Sequence, residues 1–259
     1  MGILNITPNS FYDGGKYRTE AEILYQAEVM LDEGATFIDV GAYSSKPNAE
    51  FVSELEELER IVPVINLLLK QFPEAIVSID TFRSEVAKAA IENGAGLIND
   101  ISAGNLDERM METIAHYKVP YVMMHMRGNP ETMQSLTHYN NIIKEMILYF
   151  SEKVAKARSL GINDLILDPG FGFAKTIEQN YEVLQKLELF QMLELPILAG
   201  VSRKSMIYKL LNINAQEALN GTIVLNTVAL TKGAAILRVH DVKEAMECVT
   251  LFNKIHLSK

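Results

Sequence analysis

The chain has 259 residues, 48% of them hydrophobic and 22% charged. That apolar content can bury a full core, which excludes a disordered chain, a collagen-like repeat or a small disulfide-stapled fold. Its 24 Lys and Arg against 33 Asp and Glu leave a net charge of −9, the wrong sign for neutralising a phosphate backbone, so no nucleic-acid partner is expected.

In chain order, no Lys or Arg precedes Lys16, so the start lacks the basic region of a secretory signal and a cytoplasmic location is expected. One pattern then recurs: a short apolar β-prone run, a polar or Gly-rich turn, and a longer stretch at helical spacing. The runs are residues 2–7, 37–42, 75–81, 97–102, 121–126, 165–170, 196–202 and 236–242, each of the length of a buried parallel strand. Ser53-Glu54-Leu55-Glu56 fits a capping box, Gly34, Gly94 and Gly161 stand at expected helix stops, and Pro63 is expected to bend or divide the second helix. Residues 222–239 are apolar enough to raise the question of a membrane span, but Asn226, Lys232 and Arg238 interrupt them, so a soluble helix and strand are expected and no membrane contact. The only cysteine, Cys248, excludes an internal disulfide or a cysteine metal cage and reads as a small buried apolar side chain.

Strands alternating with helices over about 250 residues predict an α/β fold, a single TIM (β/α)8 barrel of eight parallel strands spanning residues 1–259 as one domain. An open doubly wound sheet is the competitor. It usually has fewer strands, and no Gly-x-Gly-x-x-Gly turn follows the first run.

Barrel chemistry sits at the C-terminal ends of strands. Those ends carry Asn5, Asp39, Asp80, Asn99 with Asp100, His125, Asp168, Ser202 with Arg203 and Lys204, and Arg238 with His240. Any one of them could be a turn or helix cap. Together, Asp80, Asn99, Asp168 and Lys204 suit a flat heterocycle with an amidine-like N–H edge and a carbonyl, because carboxylates accept paired N–H groups and Lys donates to oxygen. Arg238 and His240 alternate on one face of the eighth run, near the barrel's usual phosphate corner, which suggests a phosphorylated substrate. Ser202-Arg203-Lys204-Ser205 opens a helix that could hold an anion or be a basic solvated start. A glycosidase would use the same carboxylates, but the chain has no Trp to stack on a sugar. A histidine-based metal site is disfavoured because His116, His125, His138, His240 and His256 show no ligand spacing. Met123, Met124 and Met126 read as barrel packing.

The chain resembles the dihydropteroate synthase family from its first residue to about residue 245. The likeness is carried by MGILNITPNSFYDGG at Met1, DVGAYSSKP at Asp39, SIDTFRSEVA at Ser78, LINDISAG at Leu97, LDPGFGFAK at Leu167, GVSRKS at Gly200 and RVHDV at Arg238. The resemblance implies condensation of 6-hydroxymethyl-7,8-dihydropterin diphosphate with p-aminobenzoate, giving 7,8-dihydropteroate and diphosphate, with Mg²⁺ assisting. It implies a pterin site of Asp80, Asn99, Asp168 and Lys204, and a diphosphate site of Asn5, Arg238 and His240 with the metal at Asn5. It also implies a p-aminobenzoate site of Ser45, Pro47, Phe173 and Ser205. Lys204, Arg238, His240 and Asp168 would be the catalytic groups, and a homodimer is implied as well. The sequence departs from the family at Asn9, Ala42, Lys46 and Asn48, and the family's short leading segment is expected to be missing or replaced. Two alternatives remain: a pterin-binding methyl-transfer domain, which would not need the anion groups around Lys204 and Arg238, and a non-catalytic pterin-binding relative.

Overall fold

The structure is a computed structural model and describes residues 1–6, 19–43 and 52–256. Each apolar run forms a strand: β1 (Gly2–Asn5), β2 (Phe37–Gly41), β3 (Ile76–Asp80), β4 (Leu97–Asp100), β5 (Tyr121–Met124), β6 (Leu165–Asp168), β7 (Ile197–Ala199) and β8 (Ala234–Leu237). All neighbours pair in parallel and in sequence order. The sheet closes on itself just past β8, where Val239 bridges Gly2, the Ile3 N–H donates to the Val239 carbonyl at 2.9 Å and the Val239 N–H to that of Met1 at 2.9 Å. The result is a TIM barrel, as the repeat of strand and helix implied.

Between the strands run α1 (Glu20–Asp32), α2 (Glu54–Gln71), α3 (Ser84–Glu92), α4 (Met110–Tyr117), α5 (Ile142–Ser159), α6 (Ile177–Gln185), α7 (Ser205–Leu211), α8 (Leu219–Thr231) and α9 (Val242–His256). None of the described helices is long and apolar enough to cross a membrane. Gly34, Gly94 and Gly161 follow the ends of α1, α3 and α5 with φ of +98°, +100° and +86°, the left-handed stop that glycine accepts without strain.

Three expectations are corrected. The eighth strand lies earlier than residues 236–242, because Gly233, at φ +92°, ends α8 and releases the chain directly into Ala234. Pro63 does not divide α2; it sits on the exposed face, where the Glu59 carbonyl it leaves without a donor can take water. At the start of α2 the Ser53 hydroxyl accepts from the Glu56 N–H at 3.2 Å, but the Glu56 carboxylate pairs with Arg60 at 2.5 Å instead of turning back to complete a box.

Strand parity decides where every side chain goes. On one parity, Leu97, Val122, Ile166 and Leu198 form an interior layer with Met1, against which Phe37 and Ile236 pack. On the other, Val40, Ile79, Ile98, Met123 and Leu167 face the helices and join the main core with Ile65, Phe150 and Phe190. Burying each such aliphatic side chain contributes about 1.5–3 kcal/mol. Cys248 is buried on α9, and its thiol faces the Ile223 carbonyl of α8 at 3.8 Å.

Candidate active site

Two residues beyond the apolar interior layer, the same inward parity reaches the mouth of the barrel. Asp39, Asn99, Asp168 and Arg238 follow Phe37, Leu97, Ile166 and Ile236 by two positions, so period-two alternation delivers polar groups to one depth. Asp80, Asn99, Ile101, Met124, Asp168, Phe173, Gly200, Lys204 and Arg238 line a single pocket there. Of the residues expected to hold a heterocycle, the structure therefore brings all four together.

Asp39 is the hub beneath them. It is fully buried, accepts from the Ser78 hydroxyl at 2.5 Å and the Asn99 amide at 3.1 Å, and pairs with Arg238 Nε at 2.6 Å. Arg238 also donates through Nη2 to Asp80 at 2.7 Å. Burial alone would depress the Arg238 guanidinium; Asp39 and Asp80 reverse that and hold it firmly charged. Asp80 itself is raised by burial, with Arg238 opposing.

Asp168 is 6% exposed and accepts the Gly170 N–H at 2.7 Å. Burial raises its carboxyl while Lys204 holds it down. Burial likewise lowers Lys204 to about 8, with Asp168 opposing. The Lys204 ammonium donates to the Phe171 carbonyl and stands 5.1 Å from the Phe173 ring centroid. Phe173 is thus part of the pocket wall, and Ser205 begins α7 immediately beside Lys204. Asn5 ends β1 beside Gly41, where a Cβ on Gly41 would lie 3.6 Å from its Oδ1.

Arg238 and His240 take different partners. Arg238 turns into the barrel, whereas His240 pairs through Nδ1 with the Ser202 hydroxyl at 3.0 Å. Arg203 is neither an anion ligand nor a solvated cation: it is buried, forks onto Asp241 with two 2.8 Å bonds and donates to the Ala215 and Gln216 carbonyls. Asp100, on the opposite parity from Asn99, faces the helices. It accepts from the Ser102 N–H, the Ser102 hydroxyl, the Gly104 N–H and the Tyr121 hydroxyl at 2.6–2.8 Å, so it shapes a turn.

Ser45 and Pro47, and the departures Asn9, Lys46 and Asn48, lie outside the described residues. Ala42 is fully buried and takes no left-handed conformation, so a Cβ there meets no backbone strain. Sequence reasoning placed Asp39 among the strand-end polar groups without a partner or role, read Met124 as barrel packing and gave no role to Ser78, although counting inward positions by two from Phe37 and Val122 points to Asp39 and Met124. It also missed Lys175, which has no periodic signal.

The sequence profile of the pterin binding enzyme family matches residues 1–240. A dihydropteroate synthase of Escherichia coli K12 is 43% identical over 251 residues, covering 96% of this chain and 88% of that one. The chain belongs to the dihydropteroate synthase family. Among solved structures, the Yersinia pestis dihydropteroate synthase in a sulfonamide drug complex superposes with a TM-score of 0.95 at 39% identity, covering 99% of this chain and 94% of the other. The Xanthomonas albilineans dihydropteroate synthase with 4-aminobenzoic acid gives 0.91 at 35% identity, covering 100% and 93%. This chain is thus an enzyme of the dihydropteroate synthase family, with the family's barrel and polar mouth.

Proposed function

We propose that the mouth condenses 6-hydroxymethyl-7,8-dihydropterin diphosphate with p-aminobenzoate. The observation that carries this reading is the convergence of Asp80, Asn99, Asp168 and Lys204 on one pocket around the Arg238 guanidinium. Asp80 and Asp168 accept the N–H edge of the pterin, the Asn99 amide pairs with the ring, and Lys204 donates to its carbonyl. Phe173 packs against p-aminobenzoate, with Ser205, Ser45 and Pro47 around it. The relative solved with 4-aminobenzoic acid supports this choice of second substrate.

The chemistry is diphosphate departure followed by amine attack. The exocyclic C–O bond breaks and its electron pair leaves with diphosphate, the dihydropterin delocalises the resulting cation, and the aniline nitrogen forms the new C–N bond and loses a proton. Asp168 and Asp80 stabilise the cationic ring in a desolvated site, where fixed charges act strongly. Arg238 spends two of its five N–H donors on Asp39 and Asp80. The others face the leaving group with His240, whose Nδ1 is oriented by Ser202.

Mg²⁺ is proposed at Asn5. Among the described residues no group of three or more His, Cys, Asp or Glu could hold a metal. A single hard amide oxygen at a strand end suits an ion whose remaining ligands are water and substrate phosphate oxygens. When bound, the ion neutralises charge on the departing diphosphate.

We further propose a homodimer through the outer face of α7 and α8, where Leu210, Leu211 and Val224 are exposed. Light scattering of the purified protein tests this, with a monomeric mass counting against it.

The deciding assay mixes the purified protein with the dihydropterin diphosphate, with and without p-aminobenzoate and Mg²⁺, and follows diphosphate and dihydropteroate. Product that requires all three is expected; binding of the pterin without product refutes the synthase reading.

A further inference from the structure

Behind the pocket lies a buried lysine that the proposed chemistry does not use. Lys175 is 5% exposed, and its ammonium donates to the Gly170 carbonyl at 3.0 Å, the Phe173 carbonyl at 3.0 Å and His125 Nδ1 at 3.1 Å. His125, 2% exposed at the end of β5, is depressed well below the ordinary imidazole range by burial and by Lys175, so its ring is a neutral acceptor. Burial lowers Lys175 to about 7, with Asp168 opposing, and the three acceptors match the donors of its amine group.

The two carbonyls belong to the short loop between β6 and α6. That loop does two things at the pocket: its Phe171 carbonyl seats the Lys204 ammonium, and its Phe173 ring packs beside the same group. The loop is conformationally demanding, with positive φ at Gly170, Gly172 and Ala174. The Gly170 carbonyl accepts both the Phe173 N–H at 3.1 Å and the Lys175 ammonium. Asn180 takes the Gly172 N–H at 2.7 Å and Tyr139 donates to the Ala174 carbonyl at 2.9 Å, while the Lys175 ammonium adds to the Phe173–Gly170 backbone bond a side-chain bridge that holds the carbonyls of both ends of the turn.

We propose that Lys175, braced by His125, is a positioning residue that fixes the turn between β6 and α6, and through it the place of Phe173, so that it governs capture of the arylamine substrate more than capture of the pterin. Of the pterin's other partners, Asp80 and Asn99 stand on strands away from the turn, and Asp168 ends β6, taking one bond from the Gly170 N–H. The kinetic part of this inference rests on the function proposed above; the structural part does not.

Two readouts test it. In the unliganded protein, Lys175→Met should speed amide exchange over residues 169–176 about tenfold while peptides from β6 stay as in the wild type. In steady-state assays the same variant should raise KM for p-aminobenzoate about fivefold or more and move KM for the pterin diphosphate less than about twofold. The histidine brace supplies a second test should Lys175→Met fail to fold. His125→Asn keeps an acceptor where Nδ1 stands and should retain the wild-type KM for p-aminobenzoate, whereas His125→Leu should raise it.

Unchanged exchange and unchanged KM values, an equal rise in both KM values, or identical behaviour of His125→Asn and His125→Leu would each overturn the proposal. Wild-type turnover is measured first. Its absence counts against the proposed function, and the exchange experiment then decides the role of Lys175 by itself.

Discussion

Arg238 and Asp39, 199 positions apart in the chain, meet at 2.6 Å inside the barrel mouth. Asp39 is wholly buried while Arg238 keeps one-fifth of its side chain exposed toward the pocket. The pair therefore joins the closed interior to the open site. One carboxylate orients the Ser78 hydroxyl, the Asn99 amide and the guanidinium together.

Asp39→Asn replaces that carboxylate with an isostere that cannot balance the guanidinium. Removing one partner of a buried pair should cost about 3 kcal/mol of stability. It should also lower kcat/KM, because Arg238 and Asn99 lose their common reference. Urea unfolding with parallel kinetics checks both, and a midpoint equal to the wild type would contradict the hub role.

Lys204 loses its proton at about 8, not at the ordinary 10.5. The ammonium is the proposed donor to the pterin carbonyl, so kcat/KM should fall as pH rises through about 8. The folded protein binds this proton more weakly than the unfolded chain. The cation thus costs stability below about pH 8, and that cost fades between pH 8 and 10.5. Lys204→Met should accordingly lose about a hundredfold in kcat/KM yet unfold no more easily than the wild type at neutral pH. A flat pH profile to pH 9.5, or a less stable Lys204→Met, would go against this assignment.

Gly170 has φ of +69°, and a Cβ placed on it would lie 2.3 Å from the His125 carbonyl. Gly170→Ala must shift backbone against backbone. The expected cost is about 2 kcal/mol or more, together with loss of the N–H bond that fixes Asp168. Thermal unfolding and a raised KM for the pterin substrate are the measurements; a variant with wild-type values of both would show that the turn has room.

Arg203, itself at φ +53°, ties the turn after β7 to the start of α9 through its fork on Asp241. Lys in its place keeps the charge but loses the two-pronged geometry and the bonds to Ala215 and Gln216. Arg203→Lys should lose about 2 kcal/mol, with KM for both substrates rising because Lys204 is the next residue. Chemical denaturation separates this from Lys204→Met, which should keep its stability.

The barrel was legible from the chain because each parallel strand, covered on both sides, is a continuous apolar run, and because glycine punctuates the helices after it. Asp80, Asn99, Asp168 and Lys204 were legible for a related reason: they interrupt or directly follow such runs, and strand ends converge at one mouth. The eighth strand was misplaced because the alternation of Ile236, Arg238 and His240 with Leu237 and Val239 runs on past Leu237 as a strand would, so the pairing of Val239 with Gly2 is what shows where β8 ends and closure begins.

What the sequence determined by itself was the repeat, the α/β class and the set of polar groups at strand ends, since all of these follow from local periodicity. Only the tertiary structure decided how those groups are used. It turned Arg238 inward to Asp39 and Asp80, locked Arg203 onto Asp241, turned Asp100 toward the helices and set Lys175 against His125. Each choice depends on a partner more than 20 residues away in the chain. A buried charge settles wherever its counter-charge and hydrogen bonds offset the loss of water, and no local pattern specifies that place.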